Sequence, residues 1–304
     1  MSARNEWPDG PAEVAAPRTL DVEAPVETLH VRVFGGTVNV VGSTETDRTR
    51  VEITEIDGPP LIVSYEGGTL TVGYDDLPWK GFLKFLERKS WQRSAVVSVT
   101  VPAAARVELG TVGASAVVSG ITGRTELRGV SGDSTLVRLT GPVLAETVSG
   151  RLEAQALGGD LRFHSVSGDL TVIEGGGGSV RAESVSGDMV IDLDPAARGT
   201  DVRLTTVSGE VAIRLPDPAD AEVEANTTSG SVANAFEDLR VGGQWGAKNI
   251  TGRLGAGTGR LKVTTVSGSL ALLRRPPSEG PEDGAPAGPP ADPPADPPAD
   301  KKVL

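Results

Sequence analysis

The chain has 304 residues, a formal charge of -12 and no cysteine. That length permits a sizeable core, the acidic balance argues against a nucleic-acid backbone as partner, and the lack of thiols excludes a disulfide framework and thiol chemistry. Aromatic residues make up 4% of the chain while glycine numbers 39, so small aliphatic stacking has to hold the fold together.

Residues 1–17 are polar and expected to be disordered. They lack the apolar run of a signal peptide or a spanning helix, so the expected location is the cytoplasm, or peripherally the inner face of the membrane. Residues 18–102 read as an N-terminal β region. Apolar side chains alternate in Leu29-His30-Val31-Arg32-Val33, Val38-Asn39-Val40, Leu70-Thr71-Val72 and again over 96–101, with turns at Gly35-Gly36 and Gly67-Gly68. These strands form a small sheet of their own or begin the structure that follows, with a boundary near Pro102.

One stretch breaks the alternation. Trp79, Phe82, Leu83 and Leu86 recur at helical spacing, with Lys80, Lys84, Glu87 and Arg88 elsewhere on the wheel, which predicts a short amphipathic helix over 79–90. It serves as an end cap or as a docking surface. In the second case Trp79, Lys80, Phe82, Lys84, Leu86, Arg88, Lys89 and Trp91 meet a partner or an anionic membrane.

From 103 to 275 glycine returns every nine residues, at Gly123, Gly132, Gly141, Gly150, Gly159 and Gly168, and after one ten-residue step at Gly178 and Gly187. Apolar residues follow at the second, fourth and usually seventh positions, as in Leu161, Phe163 and Val166. Each nonapeptide is therefore a short strand plus a corner. Alternate corners read Val-Ser-Gly or a close variant, ending at Gly132, Gly150, Gly168, Gly187, Gly209, Gly230 and Gly268, so the unit is about eighteen residues. Stacking such units joins their apolar rows into one core, which predicts an all-β fold: a single-stranded parallel β-solenoid of 9/18-residue repeats. Glycine suits the corner through its access to positive φ, and serine through hydrogen bonds to local backbone. Residues 276–304 are Pro, Ala, Asp and Glu with nothing to bury, which predicts an extended disordered tail.

The Val-Ser-Gly-Asp and Thr-Val-Ser-Gly corners, with the strand ending Val99-Thr100-Val101-Pro102 before them, resemble the bacterial putative-adhesin β-strand-repeat family, a domain of unknown function. The resemblance spans about 18–273 and implies a β-solenoid with a binding role, adhesin-like and linked to the cell envelope.

Chemistry-bearing residues read mostly as parts of the repeat. Asp133, Asp160, Asp169, Asp188 and Glu210 follow corner glycines but lack the Gly-Gly-x-Gly-x-Asp pattern of calcium-binding repeats, so they read as solvated turns. Asp192, Asp194 and Asp201 flank a loop at Pro195, and His30 and His164 alternate with apolar neighbours as outward strand residues. The corner serines recur too often for any one to be a nucleophile. Gly175 to Gly178 and Gly255-Ala256-Gly257-Thr258-Gly259 lack phosphate-loop spacing. No catalytic residue, metal or cofactor is expected. The sequence points to a non-enzymatic binding or scaffold protein that offers outward side chains such as Arg138, Glu153, Arg162, Thr171, Arg181 and Glu183 to a protein or glycan. The alternative is a carbohydrate-active β-helix enzyme, a hydrolase or lyase, which needs a cleft with paired carboxylates.

Overall fold

The computed structural model describes residues 10–74, 93–194, 199–244 and 246–276. The helix expected at 79–90, with its eight contact residues, and the tail from 277 onward lie outside them. Every regular element among the described residues is a β-strand, and the strands form two sheets of 14 and 12, here sheets A and B.

One rung of the solenoid is a sheet A strand, a corner, a sheet B strand and a second corner. In the regular stretch Thr125 lies opposite Val143 in sheet A and Ser134 opposite Leu152 in sheet B, both parallel and both eighteen residues apart. The nonapeptide is thus half a rung. Strands such as Leu161–Ser165 alternate buried and exposed positions, and the inward rows are Val, Leu, Ile and Ala, with Phe163 and Met189 as larger fillers. Ten parallel rungs stack this way, about 45 Å of rod at roughly 4.8 Å per rung.

The hydroxyls and the glycine of the Thr/Ser-Val-Ser-Gly-Asp corner have separate physical tasks, while its valine is about half exposed, as at Val166 and Val185. The first hydroxyl accepts the glycine N–H: Gly168 donates to Ser165 Oγ at 2.7 Å and Gly187 to Ser184 Oγ at 3.0 Å. The serine hydroxyl donates across rungs, from Ser149 to the Val130 carbonyl at 3.1 Å and from Ser167 to that of Val148 at 3.2 Å. Glycine answers to close packing more than to dihedral freedom. Of the seven corner glycines only Gly132 and Gly150 have positive φ; the others are glycine because a Cβ would strike the rung beneath. On Gly168 it would lie 2.6 Å from the Gly150 carbonyl oxygen, and on Gly187, Gly209, Gly230 and Gly268 closer still to the next glycine's.

Both ends of the rod are spliced out of chain order. At the C-terminal end the rung built by Ala221–Thr227 and Val232–Asn234 is outermost, and the later strands Gly259–Thr265 and Leu270–Arg274 slot between it and Asp201–Thr206 with Val211–Leu215. The chain leaves a space, reverses through the antiparallel strands Arg240–Gln244 and Ala247–Leu254, and returns to fill it. At the other end Thr69–Gly73 and Ser94–Pro102 add outside Thr28–Val33 and Gly35–Ser43. The antiparallel strands Thr49–Asp57 and Leu61–Glu66 then cover them, shielding the open strand edges that end-to-end stacking would otherwise use. Residues 18–102 thus share sheets A and B with the repeat, and so does Ala12–Val14, which lies in the stretch expected to be disordered but pairs as a strand with Leu61–Glu66 because its alternating Ala12 and Val14 are buried.

The corner geometry predicts that Gly187→Val destabilises the fold by about 3 kcal/mol, roughly 6–12 °C in melting temperature, because the obstructing atom is backbone and cannot swing away. Gly176→Ala, whose added carbon has no neighbour closer than 3.7 Å, stays within about 0.5 kcal/mol of the native chain by thermal melting.

Candidate functional site

Core and corners settle the inward residues, so function has to be sought on the two outer faces. The outward positions of sheet B are largely uncharged. Val117, Thr135, Glu153, Thr171, Val190, Ala212 and Ala271 fall in one register column across seven rungs. Glu153 and Thr171, two of the outward residues picked from sequence, sit here.

Sheet A is different. Its central outward column carries Arg162, Arg181, Arg203 and Lys262 on four successive rungs, each directly opposite the next. Like charges in register about 4.8 Å apart oppose sheet formation, so nothing in the fold calls for this column. Arg181 meets Asp201 at 3.7 Å and Lys262 meets Glu224 at 3.4 Å, while Arg162 and Arg203 have no ion pair among the described residues. Two hollows open along the column. One of about 180 Å³ is lined by Arg124, Pro142, Val143, Leu144, Asp160 and Arg162. The larger, about 630 Å³, is bounded by Arg203, Arg260, Lys262, Glu222, Glu224, Thr251 and Arg253.

Toward the N-terminal end the same face closes up. Glu108 and Glu126 are direct cross-strand neighbours, only 8% and 5% exposed. Arg106 reaches Glu108 at 2.6 Å, Arg128 reaches Glu126 at 2.6 Å, and Arg106 bridges to Glu126 at 3.4 Å. The His30 ring lies 3.2 Å from Glu108. Burial pushes its pKa down against the pull of that carboxylate, with Arg32 and Arg106 acting in the same direction as burial.

The acids flagged in the sequence disperse. Asp133, Asp169 and Asp188 each accept a backbone N–H of the next rung, from Arg151 at 2.9 Å, Asp188 at 3.0 Å and Glu210 at 2.7 Å. Asp133 and Asp188 are exposed and Asp169 half-buried, so they are solvent-facing corner residues, as expected, that also cap the next rung. Asp201 lies on sheet A beside Arg181, whereas Asp192 lies on sheet B under Arg214 and Arg275, so the carboxylate pair that a glycoside hydrolase needs is split between two faces. His164 and Glu183 are neighbours on sheet A at 3.7 Å. Arg138 occupies a corner at φ 53°. Of the outward residues picked from sequence, Arg162 and Arg181 alone fall in the cationic column. Arg203, Arg253, Arg260 and Lys262 escaped notice because their pairing offsets are irregular: Arg181 to Arg203 spans 22 residues and Arg203 to Lys262 spans 59.

At the tail's exit, Arg275 donates to Asp192 at 2.6 Å and Arg214 donates to both oxygens of the same carboxylate. Burial alone would raise the Asp192 pKa, but these two guanidinium hydrogen bonds outweigh it and hold it below the usual carboxylate range. A depressed acid contributes stability that is present above its unfolded pKa of about 3.9 and fades as pH falls through the lower folded value. Asp192→Asn should therefore melt lower than the native chain at pH 7, by about 1–2 kcal/mol allowing for solvent screening at half-exposed Arg214. Thermal melts at decreasing pH should show the gap closing below about pH 4; a constant gap down to pH 2 would mean that the charge of Asp192 contributes nothing.

Among the described residues no helix is long and apolar enough to cross a membrane. No curated protein matches the sequence. Three solved structures resemble the chain at low identity. A putative cell adhesion protein from Clostridium sporogenes is 11% identical, covering 85% of this chain and 100% of that one, with a TM-score of 0.27. A putative adhesin from Bacteroides fragilis is 12% identical over 85% and 98%, with a TM-score of 0.49. A putative lipid binding protein from Parabacteroides distasonis is 14% identical over 86% and 98%, with a TM-score of 0.39. Residues 26–273, nearly all of the described rungs, match Toastrack DUF4097, a domain of unknown function, and the chain belongs to that family.

Proposed function

We propose that this chain is a non-enzymatic binding scaffold whose working surface is the outer face of sheet A. The observation that carries the reading is the register column Arg162–Arg181–Arg203–Lys262. A stacked sheet gains nothing from such a row, yet the row presents guanidinium forks at rung spacing beside two hollows. Arginine forks match carboxylate, sulfate and phosphate oxygens bidentately, so the face suits an anionic protein or glycan partner. The repeat supplies rigidity: every side chain on the face is fixed to a strand, which lowers the ordering cost of binding.

Binding is tested by titration calorimetry of the full chain against an acidic polysaccharide, an acidic peptide and anionic vesicles. Arg162→Glu with Arg203→Glu should weaken any interaction found at least tenfold while leaving the melting temperature within about 2 °C, since both side chains are exposed and unpaired. Thr171→Glu on sheet B should leave affinity unchanged. Binding that survives the sheet A reversal, or that is lost on the sheet B change, would refute the assignment.

A further inference from the structure

The larger hollow on sheet A has an imbalance that its own residues do not resolve. Arg203, Arg253 and Arg260 border it without an ion pair among the described residues; Glu224 is taken by Lys262 at 3.4 Å and Asp201, opposite Arg260 in register, by Arg181 at 3.7 Å, which leaves Glu222 as the one remaining acid in the lining beside three guanidinium groups. The chain leaves its last rung close by. The Arg275 N–H donates to the Leu215 carbonyl at 2.9 Å and its guanidinium is fastened to Asp192, so the exit point is fixed at the edge where sheet A strands begin. The strand before it, Leu270–Arg274, belongs to the same rung as Gly259–Thr265, which bears Arg260 and Lys262. Beyond the exit come Glu279, Glu282 and Asp283 within a proline-rich sequence, then Asp292, Asp296 and Asp300.

We propose that the acidic segment 279–283 of the chain's own tail docks in the hollow, its carboxylates meeting Arg203, Arg253 and Arg260. The inference rests on the reading of sheet A as a binding face and names its nearest occupant. Reach is sufficient: at about 3.3 Å per extended residue Glu279 extends some 13 Å and Asp283 some 26 Å from Arg275, against roughly 10 Å between packed sheets. Strength need not be high. A short tether holds the segment at an effective concentration on the order of millimolar, so a millimolar site is substantially occupied. The flanking prolines reduce the entropy lost on docking. An outside anionic partner then has to displace the tail, and the tail sets the threshold for binding.

The absence of cysteine makes the test direct. Spin labels are placed in the full chain at Ala285→Cys and either Thr205→Cys on sheet A or Ala212→Cys on sheet B, and label-to-label distances are measured by pulsed electron resonance. A short, narrow population is expected for the sheet A pair only. It should be lost in Arg203→Glu/Arg253→Glu/Arg260→Glu, lost at 0.5 M salt where the screening length falls to several ångströms (about 4 Å), and restored when Glu279, Glu282 and Asp283 are changed to Arg in that variant. Restoration shows that the triple reversal still folds. Equal, broad distances to both faces, or a short population indifferent to the reversal, would overturn the proposal. An anionic ligand whose affinity depends on Arg203 while the tail stays undocked would sink the tail's role and leave the binding face standing. A docked tail, with neither the native chain nor a Glu279→Gln/Glu282→Gln/Asp283→Asn variant binding any outside anion, would uphold docking and sink the scaffold reading.

Discussion

Everything in this molecule depends on how closely one rung can sit on the next. Parallel strands hydrogen-bond at about 4.8 Å only if the corners stack at the same spacing, and a corner is where side chains crowd. Glycine removes the obstacle: a column of glycine carbonyls runs up the Val-Ser-Gly edge, and Gly123, Gly141, Gly159 and Gly177 form a second column on the opposite edge, each with a backbone oxygen of the neighbouring rung where a Cβ would go. The corner serines, and the carboxylates of Asp133, Asp169 and Asp188, then fasten adjacent rungs through backbone groups. The repeat is a packing rule written into sequence, and the small aliphatic core follows from it.

A rod built by such a rule has two raw ends, and the chain closes both by departing from the rule. Each end folds one rung out of order and lays antiparallel strands over the outermost one. This arrangement ties distant segments together, since Asp201–Thr206 is held by strands from both sides of the reversal. At the N-terminal end Arg93 stacks on Phe34 and Tyr74 at 5.1 and 5.6 Å.

The outer faces are the part of the structure that the packing rule leaves free. The central column of sheet B uses that freedom for Thr, Val and Ala apart from Glu153; sheet A uses it for charge, with a tightly paired cluster around Glu108 and Glu126 toward one end and an unbalanced cationic hollow toward the other. The paired cluster is self-sufficient, because every acid in it already has its partner. Unpaired arginines are the groups with something left to bind, and they sit where the chain makes its exit.

Strand periodicity, the eighteen-residue rung and the glycine corners were legible in the sequence, because alternation of side chains and the need for a missing Cβ are local properties that each repeat states for itself. Arg162 and Arg181 were legible as outward residues, though their 19-residue spacing exceeds the regular step by one. The reason for most corner glycines was not legible: left-handed backbone and close rung contact select the same residue, and only the stacked structure separates them. Nor were Arg203, Arg260 and Lys262 recognisable as neighbours of Arg181. Arg203 meets Arg181 across an irregular 22-residue offset, whereas Arg260 and Lys262 join this face through a rung inserted out of chain order, and strand pairing across 59 residues is decided by which edge is open when the chain returns. Local chemistry thus determined that the chain stacks, while non-local pairing decided which charges share a face.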